Sequence, residues 1–132
     1  MRNYYICSVG KPDDGYDDTV VMLCITNNCF VLHETATRIG LIREIVAGDI
    51  LILKYKHHFI GYGRAISSLL TDRDLDGDGW SWRVEVNLWI TGNHVHKYGI
   101  QAAMESGGPF DIVKRVERQF ALEKIEEIGF PF

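Results

Sequence analysis

The sequence predicts an α+β domain: a curved mixed β-sheet, or partly open β-barrel, with flanking helices. Three observations carry this prediction. Gly48-Asp49 opens a strand over residues 50–56, Lys56-His57-His58 forms a polar tip, and a second strand returns over 59–67. A tip this short excludes a parallel crossover, which needs a dozen or more residues. Residues 80–90 then alternate as one long strand, and residues 110–128 place Ile112, Val113, Val116 and Phe120 at helical spacing before Gly129 and Pro131 stop the chain. Roughly five or six strands with two or three helices make one domain, residues 1–132.

Each element follows from its residues. Tyr4 to Val9 reads as a first strand, and Gly10 to Asp18 as an acidic loop around Lys11-Pro12-Asp13-Asp14-Gly15. Thr19 to Thr26 is a β-rich apolar run that Asn27-Asn28 breaks, and Cys29 to His33 is a short strand. Thr37 to Val46 predicts one short helix, with Ile39, Ile42, Ile45 and Val46 on one face. Gly61 and Gly63 flank Tyr62 and strip one strand face of side chains, the mark of a bulge or of a close approach by a backbone or ligand. Thr71 to Gly79 is polar and turn-rich. In the long strand Trp82, Val84, Val86 and Leu88 share one face, and Ser81, Arg83, Glu85, Asn87 and Trp89 share the other. Thr91 to Gly99 is a loop, Ile100 to Glu105 a helical turn or two, and Gly107-Gly108-Pro109 resets the chain.

Composition narrows the function classes. The apolar fraction of 46% supplies a core, and the six Phe, six Tyr and three Trp leave aromatics over for a site. A net charge of −4 counts against tight non-specific nucleic-acid binding and leaves room only for a local basic patch. Cys7, Cys24 and Cys29 form no CxxC pair and no zinc spacing, so they read as buried thiols of a reduced, cytoplasmic protein. No apolar run reaches the roughly 18 residues of a membrane span, and the N-terminus lacks a signal-type apolar stretch. No GxSxG, P-loop or HExxH signature is present, so no catalytic residues and no cofactor are expected.

Two motifs resemble metal sites. Asp72-Arg73-Asp74-Leu75-Asp76-Gly77-Asp78 has the opening of a calcium loop, but Arg83 stands where the closing bidentate Glu is required. His94 and His96 project the same way from an extended segment without a third ligand nearby. Neither is assigned a metal. His57-His58 reads as exposed polar surface.

The order of parts resembles a family. "YYICSV", an apolar helix leading into "AGDILILKY", the returning "FIGYGRAIS", the long "WSWRVEVNLWI" and a C-terminal helix are similar to the PUA-like superfamily. The nearest branch is the EVE/YTH-type domains, including the EVE-like readers of Mcr-type restriction systems. The resemblance implies a nucleic-acid reader of DNA or RNA that holds a flipped, methylated base in an aromatic pocket. It also implies a partner protein of a restriction or defence system. Flipping costs a few kcal/mol; stacking returns about 1–3 kcal/mol per base, and a buried methyl adds about 0.8 kcal/mol. Such a site needs aromatic walls, for which Trp80, Trp82, Trp89 and Tyr62 are the candidates. Ser8, Asn27, Asn28 and Asn87 are the candidate edge readers, and Lys54, Lys56, Arg64 and Arg83 the candidate phosphate contacts. Trp82 also fits the core, with Val84 and Val86 on its face. The rival readings are a small protein-interaction or ligand-binding barrel, and a PUA-like hydrolase using Lys54 with Glu85.

Overall fold

A computed structural model describes residues 2–9, 18–55, 58–75, 77–91, 100–101 and 112–129. Strand β1 (Tyr4–Val9) leads to helix α1 (Asp18–Asn27), strand β2 (Cys29–Leu32) and a 3-10 turn at Ile42–Glu44. The hairpin β3 (Ile50–Tyr55) and β4 (His58–Arg64) follows, then β5 (Trp82–Glu85), β6 (Ile100–Gln101), β7 (Val113–Val116) and helix α2 (Arg118–Ile128). The main sheet has the order β6-β4-β3-β1-β7, and β2 pairs with β5 separately. β3 lies at its centre between β4 and β1, and β1 is parallel to β3 and antiparallel to β7.

Bridges between the two sheets impose curvature. Tyr62–Ile90 and Ala65–Val86 tie β4 to the chain after β5, and Gly40–Val113 ties β7 to the chain after β2. The result is a curved sheet that does not close. Its alternating strands bury two cores. Tyr5, Cys7, Leu51, Leu53 and Tyr55 point inward with α1, β2 and β5, and Tyr4, Ile6, Ile52 and Phe59 point outward under Ala121, Ile125 and Ile128 of α2.

The hairpin stands where the sequence puts it, antiparallel, with one register shift. Leu53 pairs with Gly61 and Lys54 with Phe59, so Ile60 is the extra residue. That bulge lets Phe59 and Tyr62, three residues apart, share the α2 face. At the turn before β3, Gly48 takes φ +101. The Asp49 carboxylate beside it is buried but satisfied: it accepts from Asn3 N at 3.0 Å and Val46 N at 3.0 Å.

Five expectations are corrected. Thr19–Thr26 is not extended but lies within α1. Val20 and Cys24, one turn apart, are buried against the core, and this packing overrides the β-branched propensity. Asn28 at φ 49 ends the helix in the left-handed conformation. Thr37–Val46 supplies only the 3-10 turn, because left-handed Arg38 (φ 53) and Gly40 (φ 66) break any longer helix. The long strand over 80–90 is cut to β5, and the chain crosses from β2 to β4 at Asn87, whose Oδ1 accepts from Leu88 N at 2.8 Å. The helix expected over 110–128 starts only at Arg118; Val113 and Val116 belong to β7, and Glu117 is extended. Ile100–Gln101 is a strand, not a helical turn.

Candidate nucleic-acid interface

The glycines of β4 position the interior. A side chain at Gly61 would meet Ile90 O at 3.0 Å, and one at Gly63 would meet Leu88 O at 3.0 Å and the Trp89 ring at 3.2 Å. The chain after β5 therefore lies directly on β4, which is the close backbone approach the two glycines signal. It carries Trp89 into the interior, where the ring is 5% exposed and Nε1 donates to Cys29 O at 3.0 Å.

Trp80 is also buried, at 6% exposure, with its ring edge-on to His33 at 5.2 Å. Thr35 N donates to His33 Nδ1 at 3.1 Å, which places the ring proton on Nε2, where it donates to Asp78 O at 2.7 Å. Glu34 N donates to Gly79 O at 2.8 Å. This knot pins the aspartate loop to the end of β2. Within the loop, Asp74 accepts from Gly77 N at 3.0 Å and Gly79 N at 2.6 Å, so its carboxylate serves the turn. Asp76 lies outside the described residues, as do His57, His94 and His96. Trp82 is the half-buried indole, and the Arg43 guanidinium stands 5.0 Å over its ring.

The candidate residues therefore divide. Trp80, Trp82 and Trp89 belong to the inner core or pack on it. Tyr62 packs on the outer cluster under α2, where burial raises its phenol pKa. Ser8 and Lys54 are paired neighbours on β1 and β3, and strand alternation puts both on that same outer face. Asn27 Nδ2 donates to Leu23 O at 2.8 Å at the end of α1. Asn28 accepts from Val86 N at 2.9 Å through its carbonyl and from Trp89 N at 3.4 Å through Oδ1. Asn87 Oδ1 takes Leu88 N and, at 3.4 Å, Arg64 N. The three asparagines hold backbone at chain reversals.

The basic residues are dispersed. Arg64 is exposed opposite Ile50, at the far end of the hairpin from the Lys54–Phe59 pair. Lys56 lies outside the described residues. Arg83 is 5% exposed and donates through Nη1 to Asp72 at 2.6 Å and through Nε to Glu85 at 3.2 Å. Hydrogen bonding from Arg83 lowers the Asp72 pKa. Glu85 is thus paired with Arg83 on β5, and Lys54 lies on β3. Two features were missed in the sequence: Arg43 stacked on Trp82, and Arg115, which binds Glu44 at 2.9 Å and lies 5.7 Å over the Tyr5 ring. Both join residues distant in sequence, and no local pattern announces them. An open groove of about 620 Å³ lies at the other end of β1, lined by Arg2, Asn3, Tyr4, Val116, Glu117 and Arg118. No described helix is long and apolar enough to cross a membrane.

No protein-family model and no curated protein matches the sequence. Solved structures do match. One is the YTH domain of the MRB1 protein of Zygosaccharomyces rouxii in complex with N6-methyladenosine RNA. Its TM-score is 0.65 at 12% identity, covering 100% of this chain and 90% of that one. Another is protein Atu2648 of Agrobacterium tumefaciens, with a TM-score of 0.55 at 12% identity over 97% of this chain and 94% of that one. At such identity the likeness is one of fold: the chain shares an α+β architecture, over its whole length, with a YTH domain.

Proposed function

We propose that this chain is a nucleic-acid reader of the PUA-like, EVE/YTH type, which binds RNA or DNA and prefers a strand carrying a methylated base. The observation that supports this reading is the full-length likeness to a YTH domain bound to N6-methyladenosine RNA, at a TM-score of 0.65. A flipped base recovers its unstacking cost on aromatic faces, and a buried methyl contributes about 0.8 kcal/mol. The expected preference for the methylated base is therefore about fourfold.

Fluorescence anisotropy with short oligonucleotides, methylated and plain, at low salt is the test. Equal affinity for both forms would remove the modified-base reading. A second reading, a protein-interaction or ligand-binding barrel, is favoured by the burial of Trp80 and Trp89 and by the pairing of Arg83 with two carboxylates. Absence of binding across a broad panel of RNA and DNA would select it.

A further inference from the structure

Arg43 lies over the Trp82 indole, its guanidinium carbon 5.0 Å from the ring centroid. Arg43 is exposed and Trp82 half-buried, whereas Trp80 and Trp89 are 6% and 5% exposed. Trp82 is thus the one described indole that a solute can touch. The segment that brings Arg43 there runs along β7. Ile112 N donates to Arg38 O at 2.8 Å, Leu41 N donates to Val113 O at 3.1 Å, and Arg115 pairs with Glu44 at 2.9 Å. Contacts to residues 112, 113 and 115 in succession spread the segment over roughly 10 Å of strand.

The charges along this strip do not cancel. Glu44 is the carboxylate adjacent to Arg43, and Arg115 neutralises it. Among the described residues neither Arg38 nor Arg43 has a carboxylate partner. Glu34, which accepts from Ser81 Oγ at 3.5 Å, bounds the strip on the Ser81 side. Arg38 is exposed and held at φ 53, a region that non-glycine residues rarely occupy, and its carbonyl is fixed there by Ile112 N. In a protein of net charge −4 this is a local cationic strip, with Arg43 laid over the half-buried Trp82 ring.

We propose that Arg38, Arg43 and Trp82 form a second contact for single-stranded nucleic acid, an unpaired base taking the place of the Arg43 guanidinium over the Trp82 indole and phosphates binding the two guanidiniums. This rests on the reader function above and adds a sequence-tolerant contact for nucleotides flanking the read base. The chemistry favours such a strand over a simple anion. An indole face binds any base by stacking. A guanidinium stacks on π systems and also holds phosphate oxygens in a fork. Double-stranded ligand is excluded from this contact because its bases expose no free face.

The test uses the full chain and an unmodified oligouridine, followed by anisotropy and tryptophan emission. Binding should quench emission, and Trp82→Phe should abolish most of the quench, since the other two indoles are buried. Trp82→Ala should weaken binding about tenfold or more. Arg38→Ala and Arg43→Ala, at exposed positions, should leave thermal stability unchanged, and each should lower the slope of log affinity against log salt by about 0.7. Unaltered affinity, quench and salt slope in these variants, with binding itself intact, would overturn this inference and leave the reader function standing. Trp82-dependent binding with no preference for a methylated base would support this inference and remove the modified-base reading.

Discussion

Gly79→Ala tests how the aspartate loop is held. Gly79 has φ +94, and an added Cβ would stand 2.6 Å from His33 Nε2 and 3.0 Å from its Cε1. The ring cannot swing aside freely. Its Nδ1 takes Thr35 N, its Nε2 donates to Asp78 O at 2.7 Å, and Trp80 packs against it. The left-handed backbone costs an alanine about 1–2 kcal/mol, and loss of the His33–Asp78 hydrogen bond adds about 0.5–1.5 kcal/mol. The expected loss is about 2–3 kcal/mol, or roughly a 10 °C fall in Tm for a domain of this size. Gly77 is the internal control, because its φ is +82 yet nothing lies within 4 Å of its added Cβ. Gly77→Ala should show the backbone cost alone. Calorimetry or thermal circular dichroism of both variants, and of Gly79→Ala combined with His33→Ala, measures the steric part. Equal Tm losses for Gly77→Ala and Gly79→Ala would refute the pinned-ring argument.

Three further outcomes are expected. Asp72 has its pKa lowered by the hydrogen bond from Arg83, so its stabilising contribution is present above the ordinary carboxylate range and is lost as pH falls below about 4; the Tm difference between wild type and Asp72→Asn should shrink over that interval. Burial raises the Cys29 thiol to about 11 from 9.0; the unfolded chain therefore ionises first, stability falls as pH rises from about 9, and a Cys29→Ala titration should flatten that decline. Ile125 of α2 is buried, and Ile125→Ala should cost about 2–5 kcal/mol in urea unfolding, whereas Leu122→Ala, at 43% exposure, should stay within about 0.5 kcal/mol.

Local chemistry made the hairpin legible. Gly48-Asp49 dictates the turn, a short tip forces antiparallel pairing, and Gly61 with Gly63 marks the backbone approach. β1 is found at Tyr4–Val9 as read. The helix at Asp18–Asn27 was hidden because its sequence is apolar on nearly all sides and β-branched, so no period distinguishes it from a strand; only packing of Val20 and Cys24 decides. The site was harder still. Alternation placed Trp89 among polar neighbours, but burial came from β4 lying against it, a contact without a local sequence signature. Arg83 looked solvent-facing by the same alternation, and the chain at Leu70–Asp72 covers it.

The contact between β4 and the chain after β5 is unequal in its demands on the two sides. At Gly61 and Gly63 any side chain would strike the carbonyls of Ile90 and Leu88 at 3.0 Å. Those carbonyls belong to every amino acid, so residues 88 and 90 can be exchanged widely without disturbing the approach. Drift at this junction therefore falls on residues 88 and 90, and homologues should keep small residues at 61 and 63 while those two opposing positions vary.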